Sequence, residues 1–364
     1  MKHPLQKAAV RAAVTAAVVR CHRRIVRDVR SHIAPLLARG DYESAMAIHG
    51  PGAGDITYRV DAVADAAVEE LAERLGRIAP VRVLCEGPGE IVAGGGEPQI
   101  RVLVDPIDGT RNWMADLRSA WVLTGVAAER EDRVPTTRDL LLSVQTEIPP
   151  SDRVHGSVWI AQRSRGVRVG KFKLARSGSS APRLERARTS KNPDVRSGYY
   201  SFLRYLPSER AAIGRLEVEF FRKAQKAVGL VPERTYDDQW LCAAGQLMGV
   251  ALGRTRMFAD LRAWLAAAAG TSTVASHPYD LCALLVATEA GAVVVAPSVE
   301  ERWRDLEVPL DLETPVSCVA FASNAIRKHL EPVLREVLRE CYSSVRANGD
   351  LTTRRSPAKR NARR

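Results

Sequence analysis

At 364 residues, with 46% apolar and 26% charged side chains, the chain is long enough for a large core or two domains, and its composition is globular, not disordered. No stretch of 18 apolar residues without charge occurs, which argues against a membrane-spanning helix. The net charge of +12 sits at the ends: residues 1–30 carry eight Lys or Arg against Asp28 alone, residues 354–364 carry six and no acid, and everything between is left at −1.

Residues 2–19 have the Ala, Val and Arg spacing of a surface helix, with Arg11 interrupting the apolar run. An Arg-rich, acid-poor organelle transit peptide is the alternative reading. Residues 61–75 put Val63, Ala67, Val68, Leu71 and Leu75 on one helical face. The apolar run 81–84 then leads through Cys85 to Glu86, a strand ending in a carboxylate.

Residues 101–112 read R-V-L-V-D-P-I-D-G-T-R-N. A β-branched strand ends here in a tight turn that holds Asp105 and Asp108, with Gly109 and Thr110 beyond. Pro106 pre-sets one backbone torsion and Gly109 allows the bend without a Cβ penalty. Two carboxylates three positions apart on a turn can face one point, and hard cations such as Mg²⁺ take oxygen ligands of this kind.

Further strands are expected over 120–127, 140–144 and 158–161. Segment 164–194, rich in Arg, Lys, Ser and Gly, reads as an interdomain linker or an exposed hairpin. Helices are expected over 208–227 and 237–252. Pro278-Tyr279-Asp280 opens the apolar stretch 281–286, so Asp280 stands at a helix start, where a carboxylate is favourable and can look outward. Glu289-Ala290-Gly291 and the apolar run 292–295 follow. A strand over 316–322 and a helix capped by Asn324 and running to about 339 come last.

Six scattered cysteines show no C-x-x-C pair and read as buried free thiols of a cytoplasmic protein. Trp113, Trp121 and Trp240 read as packing residues, since no basic ladder accompanies them. The G-G-G at 94–96 lacks a following lysine and is not a P-loop. The tail R-R-S-P-A-K-R-N-A-R-R reads as a solvated terminus, because charged ends without apolar residues seldom order. Neither nucleic acid nor membrane is an expected partner.

Glu86, the D-P-I-D-G-T of Asp105 to Thr110, and Tyr279-Asp280 with Glu289-Ala290-Gly291 agree in order and spacing with a family pattern. Through them the chain resembles the inositol monophosphatase and fructose-1,6-bisphosphatase superfamily of metal-dependent, lithium-sensitive phosphatases. Asp55-Ile56-Thr57 with Asp61, and Gly253 with Asp260, extend the likeness over roughly residues 5–330. The resemblance implies an α+β and α/β fold, a layered α-β-α-β-α sandwich of the fructose-1,6-bisphosphatase-like type. It divides the chain into an N-terminal metal-binding domain over 1–185, a C-terminal α/β domain over 186–340 and a basic, disordered tail over 341–364.

The resemblance also implies roles. Asp105 bridges two Mg²⁺ ions, Glu86 serves the first together with the Ile107 carbonyl, and Asp108 and Asp280 serve the second. Thr110, backed by Glu86, orients the attacking water. The amides of Gly109 and Thr110 hold the phosphate, with Asp108, Asp260 and Asp280 completing the substrate contacts.

Four departures stand out. A paired glutamate is here Glu86-Gly87, which removes a carboxylate for a third Mg²⁺. A lysine before the D-x-V-T element is absent, with His49 nearby. Asp61 lies one residue further from Thr57 than usual. The sugar-contacting G-[ST]-A loop is Leu241-Cys242-Ala243. The implied activity is Mg²⁺-dependent hydrolysis of a small sugar or polyol phosphate by a homodimeric enzyme, with fructose-1,6-bisphosphate or a 3′-phosphoadenosine nucleotide as the runner-up substrate. A pseudo-phosphatase that binds a phosphate ligand is the alternative of another class.

Overall fold

Two sheets carry the fold, each assembled where β-branched runs recur at short spacing. The computed structural model describes residues 3–51, 56–174, 182–187, 190–300 and 302–348. After α1 (Ala8–His32), two short helices α2 (Ala34–Ala38) and α3 (Tyr42–Ala45) and the small ribbon of β1 (Ile48–Pro51) with β2 (Ile56–Tyr58), helix α4 (Arg59–Gly76) leads into the first sheet.

Its strands are β3 (Val81–Cys85), β4 (Gly89–Ala93), β5 (Ile100–Asp108), β6 (Ala120–Ala128), β7 (Leu140–Ile148), β8 (His155–Gln162), β9 (Gly166–Lys173) and β10 (Glu185–Arg186), with α5 (Thr110–Met114) between β5 and β6. They lie in the order β10-β9-β8-β7-β6-β5-β3-β4, antiparallel throughout except for the parallel β3–β5 pair. All nine residues of β5 are buried, as expected of a strand covered on both faces.

The second sheet is built from β11 (Gly198–Phe202), β12 (Thr235–Tyr236), β13 (Thr255–Asp260), β14 (Val293–Val295) and β15 (Cys318–Phe321) in the order β12-β11-β13-β15-β14. Five helices accompany it: α6 (Arg210–Val228), α7 (Ala243–Ala251), α8 (Arg262–Ala269), α9 (Leu284–Glu289) and α10 (Asn324–Asn348). Helices α1 and α4 cover the outer face of the first sheet, α7 and α9 lie between the sheets, and α6, α8 and α10 close the far side. This is the α-β-α-β-α sandwich that the motifs imply.

The seam between the layers is close. A Cβ on Gly125 of β6 would stand 2.4 Å from the carbonyl oxygen of Cys282, so only glycine lets the 279–284 segment approach. Ser143 Oγ donates to that same carbonyl at 2.9 Å, and Gln145 Nε2 donates to the Ala244 carbonyl at 3.2 Å. Glu289 accepts the amides of Ser164 and Gly166 at 2.8 Å each, which ties α9 to the β8–β9 turn. The acid of E-A-G thus has a clamping role in the fold.

Several expectations need correction. The first helix is the expected surface helix but runs on to His32, with Val14, Val18, Cys21, His22, Ile25, Val26 and Val29 as its buried stripe. Of the two readings of segment 164–194, the hairpin holds over its first part and the linker does not: β9 pairs along its whole length with β8. Only Ala243–Ala251 of the expected helix over 237–252 is helical, because Cys242 caps it and its Sγ accepts the Gly245 amide at 3.2 Å. Asp280 itself stands in a 3₁₀ turn, Tyr279–Leu281, and the α-helix of the following apolar stretch begins only at Leu284. Helix α10 continues past 339 to Asn348, so the start of the expected tail is helical; residues 349–364 and Asp55 lie outside the described residues, as does the side chain of His49. All six cysteines are free, and all but Cys341 are buried.

Candidate metal centre

The strand–turn at the end of β5 sets the site. The register between β5 and β6 shifts between Asp105, opposite Leu123, and Asp108, opposite Trp121, so the intervening Pro106 and Ile107 bulge and both acids line the pocket. Gly109 then adopts φ 91°, a left-handed conformation, and a Cβ there would sit 3.0 Å from Cys242 Cβ and Sγ. Glycine is needed twice over, for its torsion and for the approach of the Cys242 loop.

Asp280 arrives from the 3₁₀ turn between β13 and β14. Carboxylate oxygens of Asp105, Asp108 and Asp280 all lie within 4.8 Å of one another, a geometry able to hold a metal ion. A backbone amide orients each acid: Ile107 N–H donates to Asp105 Oδ1 at 2.9 Å, Ala244 N–H to Asp108 Oδ2 at 2.6 Å, and His277 N–H to Asp280 Oδ2 at 2.6 Å. The Ala244 amide belongs to the first turn of α7, where a carboxylate is favoured. Cys242 Sγ adds a contact to Asp108 Oδ2 at 3.3 Å.

Glu86 lines the same pocket but lies outside the three-carboxylate cluster; its charge helps to raise the pKa of Asp105. Ile107, Gly109 and Thr110 also line the pocket. Thr110 Oγ1 donates to the Ile107 carbonyl at 2.7 Å and meets Asp61 Oδ1 at 3.2 Å. Asp61 therefore reaches the site despite its irregular spacing, because it lies in the first turn of α4 and its other oxygen accepts the Tyr58 amide at 2.8 Å.

Asp260 does not join this group. It is 1% exposed, and Arg262 grips it bidentately, Nε to Oδ1 at 2.9 Å and Nη2 to Oδ2 at 2.7 Å. Ser276 Oγ donates to Oδ2 at 2.9 Å, and the pocket wall at this point is formed by Arg262 and Ser276. The acid expected to read sugar hydroxyls is thus spent on holding an arginine. Asp260 followed by Arg262 was the sequence signal for this pair; the tyrosines Tyr58 and Tyr205, which also line the pocket, had no local signal.

Burial, then mutual repulsion, pushes the acids upward. Asp105 is raised well above the ordinary carboxylate range by burial and by Glu86, Asp108 and Asp280. Asp280 is pushed to about 8 by burial and Asp108. Asp108 reaches about 6 through burial, against the Ala244 amide and the Cys242 thiol, and Asp61 reaches about 6 for the same first reason. Clustered, buried, oxygen-only donors with excess negative charge fit a hard divalent cation. A roomier groove lies elsewhere: about 1260 Å³ between α1 and α4, lined by Arg20, Arg23, Arg24, Arg27 and Arg30, it holds no such carboxylate cluster among the described residues.

The layered sandwich is the fold of solved fructose-1,6-bisphosphatase and inositol monophosphatase structures. Among solved structures, Leishmania major fructose-1,6-bisphosphatase in holo form is similar over 92% of this chain and 95% of that one, at 14% identity and a TM-score of 0.62. The extragenic suppressor protein suhB from Bartonella henselae covers 90% of this chain and 98% of its own at 20% identity and TM-score 0.55. The Thermotoga maritima IMPase covers 87% and 96% at 19% identity and TM-score 0.50. No family model and no curated protein matches the sequence. The likeness read from the motifs is thus borne out as a likeness of fold.

Proposed function

We propose that the chain is a divalent-metal-dependent phosphomonoesterase of the inositol monophosphatase and fructose-1,6-bisphosphatase superfamily, with Mg²⁺ as the metal and a small sugar or polyol phosphate as the substrate. The convergence of Asp105, Asp108 and Asp280 within 4.8 Å, on a fold whose solved neighbours are phosphatases, carries this reading. These three acids, with Glu86 and the Ile107 carbonyl beside them, would hold the cations. When bound, such ions generate a hydroxide from water near neutral pH and neutralise phosphoryl and leaving-group charge.

The chain's own groups do the rest. Thr110 Oγ1, positioned by Ile107 and Asp61, orients the attacking water. Asp61, with a pKa near 6, accepts the proton that leaves it. The amides of Gly109 and Thr110, which line the pocket where the strand turns into α5, hold phosphoryl oxygens. Lithium sensitivity follows from the same reading.

The test is phosphate release from inositol 1-phosphate, fructose-1,6-bisphosphate, 3′-phosphoadenosine-5′-phosphate and an aryl phosphate, with Mg²⁺ and Li⁺ titrated and Asp105→Asn alongside. Mg²⁺-dependent release that disappears in the variant supports the proposal. A folded, Mg²⁺-binding protein that hydrolyses none of them would instead be a phosphate-ligand-binding pseudo-enzyme.

A further inference from the structure

The positive charge of residues 1–30 is folded onto one face of α1. Arg20, Arg23, Arg24 and Arg27 follow the i, i+3, i+4, i+7 spacing of a single stripe, about 10 Å long, opposite the buried stripe of the helix. The groove that α1 shares with α4 adds Arg30, Arg74 and Lys173, against Asp28 and Glu70 as the acids among its described lining residues. On the other flank, a groove of about 440 Å³ between α1 and strands β8 and β9 adds Arg11, Arg165 and Arg168, with no acid among its described lining residues.

Ten cations on this face thus meet two acids, and the pairs already made do not cancel the excess. Arg24 and Arg74 share Glu70, and Arg27 Nε meets Asp28 Oδ1 at 2.9 Å. Arg30 donates to the carbonyls of Pro149, Pro150 and Ser151, which carry no net charge. From Arg11 to Arg30 the helix runs about 28 Å, so the excess forms an extended field that suits a polyanion more than a small anion.

The face also selects among polyanions. Its outward ridge begins with Ala12, Ala13 and Ala16, so no large apolar side chain of α1 points out to enter a lipid surface. Single strands need exposed aromatic platforms, and Phe172, the aromatic residue of these grooves, is 8% exposed. An acidic peptide supplies one row of charge. Two basic grooves on either side of a ridge match two phosphate strands on either side of a duplex groove, and arginine meets phosphate bidentately.

We propose that the α1 face binds double-stranded nucleic acid through its phosphate backbone, without reading base sequence. It shares no lining residue with the pocket of Asp105, Asp108 and Asp280, so the proposal stands apart from the phosphatase reading. It departs from the sequence expectation of no nucleic-acid partner, because only the fold brings Arg74, Arg165 and Arg168 beside the charge of α1.

The experiment is fluorescence anisotropy over a range of KCl concentrations with labelled DNA and RNA duplexes, each in two unrelated sequences. A single strand, polyglutamate and vesicles of equimolar phosphatidylcholine and phosphatidylserine serve as competitors. The full chain is expected to bind a duplex of either sequence alike, with log Kd rising against log salt at a slope of at least about 4, since each engaged phosphate contributes about 0.9. The double variant Arg20→Glu with Arg27→Glu, at two exposed positions, should weaken binding roughly 10- to 100-fold and flatten the slope by about 2, with its melting temperature kept. A chain ending at Asn348 should bind as the full chain does. Loss on that truncation with the double variant unaffected would assign the affinity to the basic tail and overturn the proposal. Stronger competition by polyglutamate, single strand or vesicles than by unlabelled duplex, or no salt-dependent binding of either duplex, would also overturn it.

Discussion

Binding of Mg²⁺ to this chain should release protons, and the geometry says how many. Two unit charges 4.8 Å apart, the limit that encloses the three carboxylates, repel by about 3.5 kcal/mol at an effective dielectric constant of 20. Three such pairs reach about 10 kcal/mol, comparable with the whole stability of a typical domain. The metal-free protein therefore keeps protons on part of the cluster at neutral pH, foremost on Asp105 and on Asp280 with its pKa near 8.

The sign of the stability change follows. A carboxylate whose folded pKa is raised above its unfolded value contributes stability that is fully present below about 4 and lost as pH rises towards the folded pKa. In chelator, then, the melting temperature should fall as pH climbs from 4 through 8, and Mg²⁺ should restore it. Titration calorimetry of Mg²⁺ at pH 7, run in buffers of different ionisation heat, should report release of about one to two protons, fading above pH 9. Asp105→Asn should release fewer and should be more stable than the wild type in chelator. Binding without proton release, or a chelator melt independent of pH, would show that the cluster is already ionised and refute the reasoning.

Other outcomes follow from single contacts. Asp108→Asn should lower kcat by at least about 10³-fold, with the fold retained by circular dichroism, if Asp108 holds the metal as proposed, since a metal ligand acts in the transition state. His22, buried between Thr124 Oγ1 at 2.8 Å and Thr146 Oγ1 at 2.9 Å, has its pKa lowered to about 3 by burial. The unfolded chain therefore binds its proton first, and stability falls as pH drops from 6.5 towards 3; between pH 6.5 and 5 the loss is about 2 kcal/mol at 1.36 kcal/mol per unit. Urea melts of His22→Gln should lack that increment, and an unchanged acid slope would refute the assignment. Gly125→Ala should destabilise by about 1–3 kcal/mol or more, because its methyl meets the Cys282 carbonyl, and should weaken Mg²⁺ affinity along with it.

What the sequence revealed of the site was what adjacency encodes. Asp105, Asp108, Gly109 and Thr110 fall within six consecutive positions of one turn, so their chemistry was visible as a word. Asp280 was legible because a Pro-Tyr-Asp start before an apolar run leaves its acid little else to do. Asp260 misled, since a strand-end acid looks alike whether it faces ligand or an arginine two residues on. Asp61 looked displaced in linear spacing, yet the first turn of α4 brings it to Thr110. Arg111 lies over the rings of Tyr58 and Tyr205, a meeting of three separate segments that no local period encodes. Residues 237–242 read as helix because their composition permits one; the Cys242 cap and the packing of Gly245 against Trp240 decided otherwise.

The passage of the 279–284 segment over Gly125 has a consequence for how such a chain matures. Two of the clustered acids belong to the first sheet and the third to the loop that crosses the seam. Neither half owns the centre, so on the proposed reading a nascent chain would capture no cation there until both layers had met. Metal loading would then report on assembly: a misdocked molecule would stay inert, and a captured ion would act as the latch that makes docking hard to reverse.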